Sequence, residues 1–309
     1  MKRKIFITGA SGFLGTRLTQ YLMHQTDWHL LIQVRQKRPS FPSDWQQRLQ
    51  IFQADLKQPE DFEDIIRQHR PDTIVHLAAI TRFDEGQAKP EETLQTNFFA
   101  GIRLAQAASQ HKVRKLIFTS SDLARHAKSV VGISKLLFEN YLLMFNPPSL
   151  ATMALRLPNI YNSPSTVFEI FKRQIANNQP LTITDARMAR RFLTIDESCA
   201  FLHQLILEGK KQSVYAIDQK PLFIKDLAAE MIQQSGKDLH IEYIGAKPGE
   251  KLYEDTYGPQ EIAEHVNKKL VRLHRRLPAQ DEIDPLCRLL PVNAAQIEQI
   301  KTVFWEIQS

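Results

Sequence analysis

The residues with the clearest chemical capacity lie close to the start of the chain. Gly9, Gly12 and Gly15 hold the first, fourth and seventh positions of Gly9-Ala10-Ser11-Gly12-Phe13-Leu14-Gly15. Glycine at the first position permits a tight turn. At the second it lets the backbone approach a phosphate, and at the third it lets a helix pack close to a strand. A helix that starts here offers free N–H groups and a positive dipole end, so the turn, with Ser11, Phe13 and Leu14, suits a pyrophosphate. The alternative is an ordinary structural turn. Arg35 is the next candidate, followed by Lys37 and Arg38. In a dinucleotide fold an acid at that place binds the 2′-hydroxyl of NAD, whereas arginine accommodates the 2′-phosphate of NADP. Arg35 therefore points to NADP, with NAD open, against a solvated basic loop as the other reading. Asp55, with Leu56, could accept an adenine amino group or cap the next helix. Leu77, Ala78 and Ala79 form a mostly small-residue stretch against which a cofactor could lie. Ser121 and Asp122 are polar groups at one further strand end.

Positioning these residues requires a regular alternation of strands and helices. Ile5-Phe6-Ile7 is a short apolar run that suits a buried parallel strand, and Leu14, Leu18, Tyr21 and Leu22 recur at helical spacing behind it. Further strands are expected at 30–34, 49–54, 73–79 and 115–118, with helical patterns at 62–66 and 93–111 between them. A sixth is expected at 153–157. That alternation predicts an α/β protein with a Rossmann-like, doubly wound parallel sheet. Sites in such sheets lie at the carboxyl ends of the strands, where Gly9, Arg35, Ala78 and Ser121 all fall. Beyond Asn146-Pro147-Pro148 the pattern loosens into helices at 167–176, 197–207 and 224–235 and a strand at 240–244. This predicts a smaller α/β domain, and 294–304 has the pattern of a terminal amphipathic helix.

Composition narrows the function classes. The 309 residues are 43 % hydrophobic, enough for a sizeable core, and the formal charge of +6 is spread out. No basic run is interleaved with aromatics, so nucleic acid is not an expected partner. The two cysteines, Cys199 and Cys287, have no metal spacing, so no metal site is expected and a reducing compartment fits. No apolar run approaches membrane-spanning length, and the N-terminus reaches Gly9 too soon for a signal peptide. A cytoplasmic protein without membrane association is expected.

The chain resembles the extended short-chain dehydrogenase/reductase superfamily. Within it, the chain is most similar to the bacterial UDP-N-acetylglucosamine 4,6-dehydratases of surface-polysaccharide biosynthesis. The resemblance runs from residue 3 to about 257. It is carried by the glycine turn and, more specifically, by Pro180-Leu181-Thr182-Ile183-Thr184, Arg190-Arg191-Phe192-Leu193-Thr194-Ile195-Asp196-Glu197 and Lys247-Pro248-Gly249-Glu250-Lys251-Leu252-Tyr253-Glu254. It implies an NADP-binding Rossmann domain over 1–157 and a nucleotide-sugar domain over 158–309. It further implies that Asn159, Arg191 and Glu250 contact a UDP-hexosamine-type sugar, and that the protein is a homo-oligomer. An arginine can grip a diphosphate bidentately, and a glutamate can accept two ribose hydroxyls. The other reading of Arg191 is an ion pair with Asp196 or Glu197. Lys247 stands where the family usually has arginine.

The family's proton-handling groups are partly replaced. Its Tyr-x-x-x-Lys motif has Val131 at the tyrosine and Lys135 at the lysine. Its Thr-Asp-Lys triplet reads Ser121-Asp122-Leu123. Valine and leucine transfer no protons. Ser121, Asp122 and Lys135 are the catalytic candidates that remain, and Lys135 also serves cofactor binding. The resemblance thus implies either a reductase, epimerase or divergent dehydratase, or a non-catalytic scaffold that holds NADP or a UDP-sugar as a regulatory or assembly partner.

Overall fold

The structure is a computed structural model and describes residues 2–125, 129–164, 166–245, 252–253, 255–258 and 261–275. The alternating first half folds as its pattern demands. Strands β1 (Lys4–Thr8), β2 (His29–Val34), β3 (Leu49–Gln53), β4 (Thr73–His76), β5 (Lys115–Ser121) and β6 (Ala151–Leu157) pair in parallel in the order β3-β2-β1-β4-β5-β6. Helices α1 (Phe13–Gln25), α2 (Pro59–His69), α3 (Phe83–Ala88), α4 (Pro90–Leu94), α5 (Ala100–Gln110) and α6 (Val130–Met144) connect them. Strand order reverses between β1 and β4, and in such sheets the ligand crevice opens at the carboxyl ends beside that reversal.

The strands are apolar on both sides because both faces are covered. One core joins Phe6, Ile74, Leu116 and Phe118 to α2, α5 and α6. The other joins Ile5, Ile7, Leu18 and Leu22 to residues further along the chain, such as Leu202 and Ile206. The segment expected as one helix over 93–111 is interrupted. A π-turn spans Gln95–Phe99 between α4 and α5. The extra residue in that turn accompanies the inward placement of Asn97, which is fully buried.

After β6 come β7 (Asn159–Ile160), α7 (Val167–Ala176), β8 (Leu181–Ile183), β9 (Ala189–Arg190), β10 (Phe192–Leu193), α8 (Ile195–Glu208), β11 (Ser213–Ile217), β12 (Leu222–Phe223), α9 (Ile224–Ser235), β13 (Ile241–Tyr243), β14 (Ile262–His265) and β15 (Leu270–His274). Helix α8 opens with a capping box in which Thr194 and Glu197 satisfy each other's backbone amides. A third core gathers Phe171, Leu181, Ile183, Met188, Phe192, Ile224 and Leu227. Past residue 157, however, the chain also returns to the first sheet. Strand β11 pairs in parallel with β6, and the antiparallel hairpin β14–β15 extends the sheet to nine strands. The sheet thus draws strands from both sides of the 157/158 boundary. The terminal pattern at 294–304 and Cys287 lie outside the described residues.

Candidate functional site

The glycine turn is built by contacts that only glycine allows. Gly9 has φ +69°, and a Cβ there would lie 2.6 Å from the Ala78 nitrogen. A Cβ on Gly15 would lie 2.3 Å from the Gly9 carbonyl oxygen. The turn is therefore pressed against the end of β4 on one side and against its own helix on the other. Gln33 braces it: its Oε1 accepts the Gly9 N–H at 2.9 Å and its Nε2 donates to the Ala54 carbonyl at 2.5 Å. The N-cap position of α1 is Gly12, and no side chain caps it. Its first amides are thus left for an anion, which is the arrangement a pyrophosphate requires. Ser11 and Leu14 are partly exposed beside this end and Phe13 is exposed.

Arg35 follows β2 and lines a cleft of about 820 Å³ with Gln36, Gln53, Ala54, Asp55, Lys57, Asp61 and Glu92. Asp55 does not cap α2. Its carboxylate accepts the Lys57 N–H at 2.9 Å, its N–H donates to Asp61 at 3.0 Å, and Gln58 takes the N-cap position. Leu56 is buried in the core, whereas Leu77, Ala78 and Ala79 are half-buried at the crevice. The loop after them is held by Asn97, whose side chain accepts from Ile80 N–H at 2.7 Å and donates to the Ile80 carbonyl at 2.9 Å. The same amide donates to Ser134 Oγ at 3.0 Å, which ties the loop to α6 beside Lys135. Gln33 and Asn97 escaped sequence reading. Their only local signal is a polar residue inside an apolar stretch.

Lys135 is 4 % exposed and donates from Nζ to the Thr119 carbonyl at 2.8 Å. Its ammonium sits 4.6 Å from the centroid of the Phe118 ring. Burial pulls its pKa down to about 7, against the opposing charge of Glu139. His76, fully buried at the end of β4, has its pKa pushed down to about 3 by burial and then by Lys135. It is therefore a neutral imidazole, with Nδ1 2.7 Å from Thr8 Oγ1.

Ser121 and Asp122 stand at the end of β5. The Ser121 hydroxyl accepts the Leu123 N–H at 3.3 Å and so caps a 3₁₀ turn. Asp122 is 2 % exposed within that turn. Ser120, not Ser121, shares the strand face of Phe118, and its Oγ has no hydrogen-bond partner among the described residues. Val131 is 2 % exposed and covered by α3. A Cβ on Gly86 would lie 2.4 Å from Val131 Cγ2, and Gln87 Oε1 accepts the Val130 N–H at 2.8 Å. The Val131 side chain is thus closed off by a docked helix.

In the second half, the Asn159 N–H donates to the Arg191 carbonyl at 3.1 Å, so the two expected sugar-side residues are adjacent. The Arg191 guanidinium donates to the Gln219 carbonyl at 2.7 Å. Asp196 pairs with Arg17 at 2.8 Å, and Glu197 pairs with Lys269. Tyr161 stacks on Phe192 beside them, with centroids 4.8 Å apart. Arg125, in the turn after Asp122, pairs with Asp255. Glu250 and 246–251 lie outside the described residues. Among the described residues no group of three or more His, Cys, Asp or Glu is placed to hold a metal, and no helix is long and apolar enough to cross a membrane.

Comparison with known proteins places this geometry. The model of the polysaccharide biosynthesis protein family matches residues 5–274. The capsular polysaccharide biosynthesis protein CapD of Staphylococcus aureus is 28 % identical over 286 residues, which cover 87 % of this chain and 48 % of CapD. The chain spans about half the length, or less, of the curated relatives it matches first. Among solved structures, Pen from Bacillus thuringiensis superposes with a TM-score of 0.79 at 22 % identity, over 90 % of this chain and 89 % of that one. UDP-glucose 4-epimerase of Thermus thermophilus, solved in complex with NAD, superposes with a TM-score of 0.71 at 20 % identity, over 80 % and 88 %. These structural likenesses establish the Rossmann-like fold.

Proposed function

The chain belongs to the polysaccharide biosynthesis protein family, and from that membership we propose that it binds a nicotinamide dinucleotide and modifies a nucleotide sugar. The observation that carries this reading is the glycine turn, closed on Ala78 and opening onto the uncapped end of α1. The residues present fit the cofactor: amides for the pyrophosphate, Arg35 for a 2′-phosphate, and Lys135 for the nicotinamide ribose. Arg35 favours NADP over NAD. A bound nicotinamide would supply hydride transfer. The chain's own part is to orient the sugar through Asn159 and Arg191, with Glu250 completing that set, and to move one proton. Asp122, Ser121 and Lys135 Nζ are the groups available for it. The bound sugar is a UDP-hexosamine type in this reading, the protein acts in the cytoplasm, and the chains assemble as a homo-oligomer.

Reduction or epimerisation needs one proton relay, whereas 4,6-dehydration needs a further base at C5. Val131 and Leu123 supply neither. The relay groups that remain therefore support hydride chemistry without ordinary dehydration. A second reading, a non-catalytic binding protein, is favoured by the packing of Gly86 on Val131, which fills the place of the usual proton-transfer group. A panel of UDP-sugars incubated with the protein and NADP(H), analysed by mass, separates the two. Gain of two hydrogens, or an epimerised product, supports the enzyme. Ligand-induced stabilisation without any product supports the binding protein. Robust loss of water from UDP-N-acetylglucosamine would overturn the binding-protein reading and, with it, the exclusion of ordinary dehydration.

A further inference from the structure

The formal charge of +6 is spread along the sequence, and the fold gathers part of it at one edge. Strands β1, β2, β4, β5, β6 and β11 run parallel, so their amino ends lie together, opposite the carboxyl ends that form the crevice. Main-chain hydrogen bonds fix this row. The Asp72 N–H donates to the Lys4 carbonyl at 2.8 Å, the Arg114 N–H to the Asp72 carbonyl at 3.1 Å, and the Ala151 N–H to the Arg114 carbonyl at 2.8 Å. Connections that enter the row add further cations. Arg70 stands between α2 and β4, Lys112 between α5 and β5, and Lys211 just before β11, and all three are exposed.

The carboxylates on this edge do not balance those cations. Asp27 pairs with Lys2 at 3.6 Å, and Asp72 pairs with Arg114 at 2.6 Å. Glu63 faces His111 at 3.4 Å, and Glu208 acts on Lys115 only through its field. Other cations are held by carbonyls instead. Lys115 donates to the carbonyls of Ile206 and Leu207 at 2.8 and 3.1 Å, and Arg3 to that of Ile206 at 3.3 Å. Lys4 donates to the His69 carbonyl at 3.2 Å, and Lys211 to the Pro147 carbonyl at 3.0 Å. Capping explains part of this pattern, since Ile206 and Leu207 end α8 and His69 ends α2. A helix end carries only about half a negative charge, so full cations placed on it leave a positive excess. Burial, and then Arg3 and Arg114, pulls the Lys115 pKa down, as crowded cations do.

An array of uncompensated cations along one edge fits an anionic surface, and two features favour lipid. Leu207 is 44 % exposed at the end of α8, beside these cations. An apolar side chain rimmed by lysine and arginine suits the boundary between headgroups and acyl chains. Among the described residues no exposed aromatic side chain stands on this edge to stack a base, as single-stranded nucleic acid would want. We propose that the amino-terminal edge of the sheet docks on an anionic membrane surface, as a peripheral contact that leaves the crevice open on the far side.

Flotation of the full chain with vesicles of phosphatidylcholine, alone or with about a third phosphatidylglycerol, tests this. Binding is expected to the anionic vesicles only, and it should fall as salt rises. Arg70→Gln, Lys112→Gln and Lys211→Gln should each lower the partition about fivefold, the usual effect of one basic residue near such a surface. Leu207→Gln should lower it as well, without changing the salt dependence. Lys220→Gln, Lys225→Gln and Lys268→Gln, which lie away from this edge, should leave it unchanged. Melting temperature checks that each variant is folded, and the remaining single variants carry the test if one is not. Equal binding to neutral vesicles, or equal losses from the two sets of variants, overturns the proposal. So does a chain that ignores anionic vesicles yet binds single-stranded RNA, which would assign the edge to nucleic acid.

Discussion

At the scale of single residues, the candidate site divides into groups that the local sequence announces and groups that it hides. Arg35 is of the first kind, and its place beside the cleft after β2 makes a direct expectation. NADP(H) should bind more tightly than NAD(H), and Arg35→Ala should narrow that gap by about 1.5–3 kcal/mol, the usual worth of hydrogen bonds to a charged group. Calorimetry with both cofactors checks this, and equal affinities in the parent chain would remove the 2′-phosphate role. Arg191 tests the sugar side. UDP should raise the melting temperature by mass action, and Arg191→Ala should abolish that rise while leaving the rise with NADP(H) intact. If both rises vanish together, Arg191 acts through the Gln219 carbonyl it holds, and its role is to support the fold.

At the scale of elements, the decisive contact is α3 on α6. Gly86 meets Val131, a β-branched side chain with little freedom to move aside. Gly86→Ala should therefore destabilise the protein by about 1–3 kcal/mol, the usual cost of overpacking. In a Val131→Ala background the same change should cost much less, so a double-mutant cycle by urea denaturation should give a coupling of about 0.5–3 kcal/mol. Additive effects would show that α3 is not seated on Val131. The same contact predicts that Val131→Tyr alone fails to create a working relay, because the ring must first displace α3. The π-turn at Gln95–Phe99 is a second such device, since it accompanies the burial of Asn97 between the crevice loop and Ser134. On sequence periodicity alone this stretch was one continuous helix.

At the scale of the whole molecule, buried charge makes stability depend on pH. His76 has a folded pKa of about 3 against 6.5 unfolded. Between those values the unfolded chain binds more protons than the folded one, so stability rises with pH there and is lost as pH falls from 6.5 toward 3. Glu261 adds to this from a lower window. Burial would raise its pKa, but Arg156 and Arg275 together bring it below 4.5, so its contribution is lost as pH falls through that depressed value. Lys135 acts at the other end. Its folded pKa of about 7 lies below the ordinary 10.5, so stability rises with pH between them. Melting temperature measured from pH 4 to 6.5 should climb, as the unfolding free energy rises by up to about 1.4 kcal/mol per pH unit for one proton. His76→Gln should flatten that climb. A profile unchanged by the substitution would show that His76 is not the group responsible.

What the sequence determined by itself is the part of the protein that rests on short-range rules. The apolar run before Gly9, the glycine spacing and the strand–helix alternation specify the parallel sheet and the tight turn that leads into α1, because each is a property of neighbouring residues. The place of Arg35 beside the cleft was legible for the same reason, since it stands one residue past a strand. The tertiary structure alone decided the rest. Strand β11 and the hairpin β14–β15 return to a sheet begun two hundred residues earlier, and no periodicity marks that return. Val131 became a buried contact of Gly86, where the resemblance implied only a replaced tyrosine. Glu261 meets Arg156 across 105 residues, and Glu139 reads locally as an ordinary helical glutamate until that pairing exists. Such contacts arise when the core brings distant segments together, and a charge buried at that meeting is stable only with its partners in place.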